Sequence, residues 1–119
     1  MNKQAELEYS AEVDVLVLDV LNRKYHSSVP IGNFIFDLDA EGNVIGIEIL
    51  DASRMFNASK EPLKQMKTAQ ASILVQRGKV RIDIELSPDL RKDFGGAKLH
   101  RILQESLGEM EVHLGGSVA

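Results

Sequence analysis

Residues 79–86, KVRIDIEL, alternate without a break. Val80, Ile82, Ile84 and Leu86 fall on one side, and Lys79, Arg81, Asp83 and Glu85 on the other. A period of two places every second side chain on one face of extended backbone. A chain carrying this segment must build a sheet with one apolar face and one charged face.

The same rule finds partners for it. Residues 71–76, ASILVQ, precede it across Arg77-Gly78 and predict a hairpin. In residues 33–39, Phe34, Phe36 and Leu38 oppose Ile35, Asp37 and Asp39. In residues 44–50, Ile45, Ile47 and Ile49 oppose Val44, Gly46, Glu48 and Leu50. Gly42 and Asn43 between these runs tolerate positive φ and predict a second hairpin. The Val- and Leu-rich residues 12–18 read as a buried strand, and the polar residues 22–30 as a loop. Residues 109–114, EMEVHL, alternate as a short edge strand, and the tail GGSVA has little to hold it.

Between the sheet segments the period changes. Ser59 is placed to cap a short helix whose inner side carries Leu63 and Met66. Ser87-Pro88-Asp89 predicts a second helix start, interrupted at Gly95-Gly96. Residues 97–107 resume it, with Leu99, Ile102, Leu103 and Leu107 as an apolar stripe. The expected architecture is a single α+β domain over residues 1–119. Its sheet is mostly antiparallel, a β-meander over 9–55, with helices on one face. Residues 56–119 supply a helix, a β-hairpin, helices and a terminal strand, an arrangement compatible with strand or helix exchange in a dimer.

Composition narrows the function classes. The chain has 119 residues, no cysteine and no tryptophan, and 5% aromatic residues, so its core is aliphatic. Disulfides, thiolate metal sites and Cys nucleophiles are excluded together. The N-terminal segment lacks the apolar run of a signal peptide, and no apolar stretch is long enough to span a bilayer, so the expectation is a cytoplasmic protein. Residues 1–52 hold ten acids against three bases, and residues 53–119 hold eight against eleven. Opposite halves of this kind attract each other, within one chain or between two.

Asp37, Asp39, Glu41, Gly42 and Glu48 stand at positions 1, 3, 5, 6 and 12 of a calcium loop. Such a loop needs a helix on each side to aim its ligands. The flanks here, GNFIF and GIEIL, are β-branched, aromatic and of period two, so the stretch reads as a turn with solvated acids. A divalent-metal site on Asp37, Asp39, Glu41 and Glu48 is the competing reading. Asp14, Glu48 and Asp51 form a candidate polar or structural site. Paired carboxylates there could serve acid–base chemistry, or fix strand register. His26, His100 and His113 lack zinc-ligand spacing. No phosphate-binding glycine loop and no nucleophile elbow is framed.

Two stretches resemble a known family. One is Tyr9-Ser10-Ala11-Glu12-Val13-Asp14-Val15-Leu16. The other runs from Phe36 to Ser53 and contains Gly46-Ile47-Glu48-Ile49-Leu50-Asp51-Ala52-Ser53. Together they are similar to the small prokaryotic domains of domain-of-unknown-function family 2283. The resemblance implies a short β-meander over the first half of the chain and no established reaction.

Arg77, Lys79 and Arg81 form a candidate interaction surface. The acidic balance, the scarcity of aromatics and the neighbouring Asp83 and Glu85 argue against nucleic acid as its partner. An antitoxin-like nucleic-acid regulator is a further alternative. The expected protein carries no cofactor and is a module without catalysis; the competing reading is a divalent-metal or small-ligand binding protein or hydrolase that uses the acidic residues. It associates with itself as a homodimer, or with a protein partner.

Overall fold

The computed structural model describes residues 2–88, 96–105 and 108–118. Five strands come from the first half: β1 (Asn2–Ser10), β2 (Val15–Val20), β3 (Ser27–Ile31), β4 (Phe34–Leu38) and β5 (Val44–Leu50). Two short helices follow, α1 (Ala52–Met55) and α2 (Lys60–Lys64). The second half gives β6 (Thr68–Gln76), β7 (Lys79–Ser87), β8 (Lys98–Gln104) and β9 (Met110–Ser117).

All nine strands belong to one sheet, in the order β3–β4–β5–β2–β1–β9–β6–β7–β8. Among the described residues every pairing is antiparallel except β1 with β9, which is parallel. Nine flat strands at the usual spacing would make a slab about 38 Å wide and one layer thick. The molecule measures 35 × 28 × 27 Å and has no thin dimension. The sheet therefore curls, and its inner faces share a single apolar core. Leu16, Leu18, Phe34, Phe36, Ile47 and Ile49 come from one half of that core, and Ile73, Ile82, Ile84 and Leu114 from the other. Each such side chain, removed from water, contributes about 1.5–3 kcal/mol. Two rings, Phe34 and Phe36, lie 6.4 Å apart within it.

The α+β expectation is corrected by these elements. The helices are four and five residues long and do not cover a sheet face. Curling removes the need for them, because each half of the sheet is the other's cover. Among the described residues, no helix is long and apolar enough to cross a membrane.

Three local expectations are corrected as well. Residues 98–104 are strand β8 paired with β7, not a helix. Leu99 is buried there and Ile102 is 53% exposed, as a period of two requires and an i, i+3, i+4 stripe does not. Residues 110–117 are not an edge, since β9 pairs β1 on one side and β6 on the other. Among the described residues the edges are β3 and β8. Residues 27–31, expected within a loop, pair with β4 as an edge strand, where Pro30 is tolerated. The helix expected from Ser87-Pro88-Asp89 and its break at Gly95 fall largely outside the described residues, as does Leu107.

The first half is not a simple meander. Strands β3, β4 and β5 follow one another, but β2 docks against β5, so the β2–β3 connection passes over two strands. The two expected hairpins are present. Arg77 and Gly78 both have positive φ, 54° and 73°, which matches the twist of a tight hairpin. A register shift at Asp37/Leu38 pairs Leu38 with Val44. This bulge lets neighbouring Val44 and Ile45 both turn into the core.

Candidate functional site

Three groups of polar residues stand out, and they occupy different parts of the fold. The first is a buried knot at Asp14. Asp14 adopts φ 56° in the turn between β1 and β2 and is 9% exposed. Tyr9 donates its hydroxyl to Asp14 Oδ1 at 2.7 Å. The Ser53 backbone amide donates to the same oxygen at 3.0 Å, and the Ser53 hydroxyl donates to Oδ2 at 2.6 Å. The Ala52 amide donates to the Asp14 carbonyl at 2.9 Å. The knot thus ties the β1–β2 turn to the first turn of α1. Burial acts to raise the Asp14 carboxyl, but the hydrogen bonds from Ser53 and Tyr9 outweigh it and hold the group below the usual range. Burial and the adjacent carboxylate raise the Tyr9 hydroxyl well above its ordinary value.

A second group surrounds Asp39. Asp39 Oδ1 accepts from the amides of Glu41 and Asn43 at 3.0 and 2.9 Å. Its Oδ2 accepts from Asn43 Nδ2 and from Arg23 Nη2, each at 3.1 Å. Asp39 is 7% exposed and its carboxyl is held far below the ordinary value. Burial opposes that shift, and the Asn43, Arg23 and Glu41 donors override it. The expectation of a solvated acid at this position is therefore corrected: Asp39 is the organising acceptor of the turn. Its lone pairs are occupied by protein donors, as a hairpin requires and a calcium cage does not.

The third group lies on the outer face of β1, β2, β5 and β4. In register, Glu6 stands beside Asp19, Asp19 beside Gly46, and Gly46 beside Asp37. A Cβ on residue 46 would meet Asp19 Oδ1 at 3.0 Å and Asp37 Oδ2 at 3.2 Å, so the bare glycine lets two carboxylates lean together. Glu48 is the next outward residue on β5. Its carboxyl is raised by burial and by Asp37 and Asp19. Asp19 is raised by burial and by Asp37 and Glu6. Ser28 donates to Asp37 Oδ1 at 2.8 Å and is itself bonded to the Tyr25 hydroxyl at 2.7 Å.

The residues expected to hold a metal are thus divided. Asp37 and Glu48 lie on the outer face, Asp39 is enclosed in its turn, and Glu41 is exposed. Among the described residues, no group of three or more His, Asp or Glu side chains is arranged to hold a metal ion. Asp14, Glu48 and Asp51 do not converge either. Asp51 follows β5 next to the Asp14 turn, but its carboxylate is paired with Arg54 at 2.5 Å on the surface, while the Asp14 carboxylate is taken by Tyr9 and Ser53. Sequence reasoning passed over Asp19. Alternation from Val15 places it outward, but only the register of β2 with β5 brings it to Asp37.

Arg77, Lys79 and Arg81 do share one surface. Outward positions on neighbouring strands align as Glu111, Leu74, Arg81 and Ile102. Leu74, Gln76, Arg77, Lys79, Arg81 and Ile102 line a groove of about 280 Å³. Nearby acids have other partners: Asp83 contacts His100, and Glu85 lies 3.7 Å from Lys98. Among the described residues, no ion pair engages Arg77, Lys79 or Arg81.

Comparison with known proteins places these groups. The profile of the family described as "Protein of unknown function (DUF2283)" matches residues 6–53, which contain the Asp14 knot, the Asp39 turn and the acidic face. A Methanosarcina mazei protein, provisionally named a hypoxanthine phosphoribosyltransferase, is 34% identical over 84 residues. The match covers 71% of this chain and 68% of that protein. An uncharacterised protein of Methanocaldococcus jannaschii is 29% identical over 84 residues, covering 70% of this chain and 72% of its own. No solved structure matches the chain.

Proposed function

The chain belongs to the DUF2283 family of proteins of unknown function, and from that premise we propose that it is a non-catalytic module that associates with a second copy of itself through the β8 edge. The observation that carries this reading is the state of that edge. Among the described residues strand β8 ends the sheet, it runs for seven residues without proline, and it presents Ile102 at 53% exposure beside the groove. An open edge offers unpaired backbone donors and acceptors to another strand, and the exposed isoleucine adds apolar area. The opposite edge is shorter and carries Pro30, which cannot donate to an added strand.

The provisional name of the Methanosarcina relative does not supply the reading. Phosphoribosyl transfer calls for an anion cradle, built from backbone amides at a glycine-rich turn or a helix start. The family-matched region instead presents Glu6, Asp19, Asp37 and Glu48, which repel phosphate. Both Asp14 and Asp39 are consumed by structural hydrogen bonds, and neither has a free face for acid–base work.

The test is mass in solution. Size-exclusion chromatography with light scattering at rising concentration should give species heavier than the 13.2 kDa chain. Ile102→Pro, which removes the apolar contact and a strand donor, should shift the protein to monomer. A wild-type protein that stays monomeric at every concentration sinks the reading.

A further inference from the structure

We propose that the groove formed by Leu74, Arg81 and Ile102 receives the acidic outer face of a second copy, head to tail. This rests on the self-association proposed above and adds to the β8 edge a second contact, between outer faces of the sheet.

The argument is charge complementarity between two surfaces of one chain. Apolar Leu74 and Ile102 line the groove together with the basic residues Arg77, Lys79 and Arg81. The surface that fits it must offer carboxylates next to aliphatic side chains. The face of β2, β5 and β4 does so. Glu48 stands between Val17 and Ile35 in register, and Leu50, 36% exposed, stands beside Val15.

Geometry at Gly46 sharpens the match. Asp19 Oδ1 and Asp37 Oδ2 both approach the empty Cβ position, so no more than about 6 Å separates them. One guanidinium spans that gap with two charge-assisted hydrogen bonds. Arg81 is the candidate donor, because it stands mid-groove between Leu74 and Ile102. Mutual repulsion among Asp19, Asp37 and Glu48 means that a cation arriving there relieves an unfavourable field as well as forming new bonds.

The two surfaces cannot meet within one molecule. Strands β1 and β9, among others, separate the acidic face from the groove along the sheet. Contact between unlike patches is heterologous, so it closes into a ring or extends as a chain. The acidic and basic halves of the sequence then attract between molecules as well as along the β1–β9 junction.

Paired charge reversal tests this on the full chain. One variant carries Arg77→Glu, Lys79→Glu and Arg81→Glu, and the other carries Asp19→Lys and Asp37→Lys. Circular dichroism and melting confirm that each is folded. Each alone should associate at least tenfold more weakly than wild type by analytical ultracentrifugation. Their equimolar mixture should recover the lost affinity, because each supplies the surface that the other now fits. Should either reversal prevent folding, Arg81→Gln and Asp37→Asn replace it, each expected to weaken association and its salt dependence. Wild-type self-association that survives both reversals but is lost in Ile102→Pro overturns this inference and leaves the edge-pairing reading standing. A mixture that stays monomeric also overturns it. A monomeric wild type removes both.

Discussion

Ser53 donates its hydroxyl to Asp14 at 2.6 Å across 39 positions of sequence. That bond, with the Tyr9 hydroxyl on the same carboxylate, fastens the first hairpin to the first helix. The two family-like stretches of sequence therefore meet at one buried acid. Their shared pattern has a mechanical explanation: removing any partner leaves an unmatched polar group inside the protein.

Asp14→Ala should destabilise the fold by about 2–3 kcal/mol, because the Ser53 amide and hydroxyl and the Tyr9 hydroxyl lose a charged acceptor together. Tyr9→Phe removes one donor and should cost about 1 kcal/mol. Urea denaturation followed by far-UV circular dichroism measures both. A loss below about 0.5 kcal/mol for Asp14→Ala would show that the knot holds nothing.

Acidification should weaken the fold through Asp14 and Asp39. Both carboxyls titrate lower in the folded chain than in the unfolded one. The unfolded chain therefore takes up protons first, and stability falls as pH drops below the ordinary aspartate range. Asp39→Asn should be less stable than wild type at neutral pH and should show a flatter decline between pH 5 and pH 2. Melting temperature against pH gives both slopes.

The outer face should do the opposite. Asp19 and Glu48 are raised in the folded state, so the folded chain holds its protons longer. Stability from this pair is present below the ordinary carboxylate values and declines as pH rises through the folded ones. Glu48→Gln should remove part of that decline and gain roughly 0.2–1 kcal/mol at neutral pH, the range for relieving like charges on adjacent strands. An unchanged pH slope in the variant would count against the cluster.

Gly116→Ala probes the junction between the two halves. A Cβ at residue 116 would lie 2.3 Å from the Ala5 carbonyl oxygen, and backbone cannot yield as a flexible side chain can. The substitution should cost about 2–3 kcal/mol through displaced pairing of β1 and β9. Hydrogen exchange should show faster opening of both strands.

Much of the sheet was legible because alternation is a local signal. Val80 to Leu86 and Phe34 to Ile49 declare their inner faces without reference to anything distant. Residues 98–104 misled for a physical reason. Leu99, Ile102 and Leu103 satisfy a helical stripe over so short a span, and only pairing with β7 decides the matter. The identity of the edges was hidden for the same cause: EMEVHL reads as an edge until β1 arrives beside it. At the candidate sites, the turn around Asp39 could be read from Gly42 and Asn43. The approach of Asp19 to Asp37 could not, because it depends on which strand docks against β5.

The parallel pairing of β1 with β9 matches Asn2 to His113 and Glu6 to Ser117. Such a seam has no local precursor: more than a hundred residues separate its two sides. Until β9 arrives, β1 waits with one flank unzipped, and the barrel-like curl cannot lock. Closing so long a loop costs entropy before any contact repays it, so folding should be slow for a domain of this size.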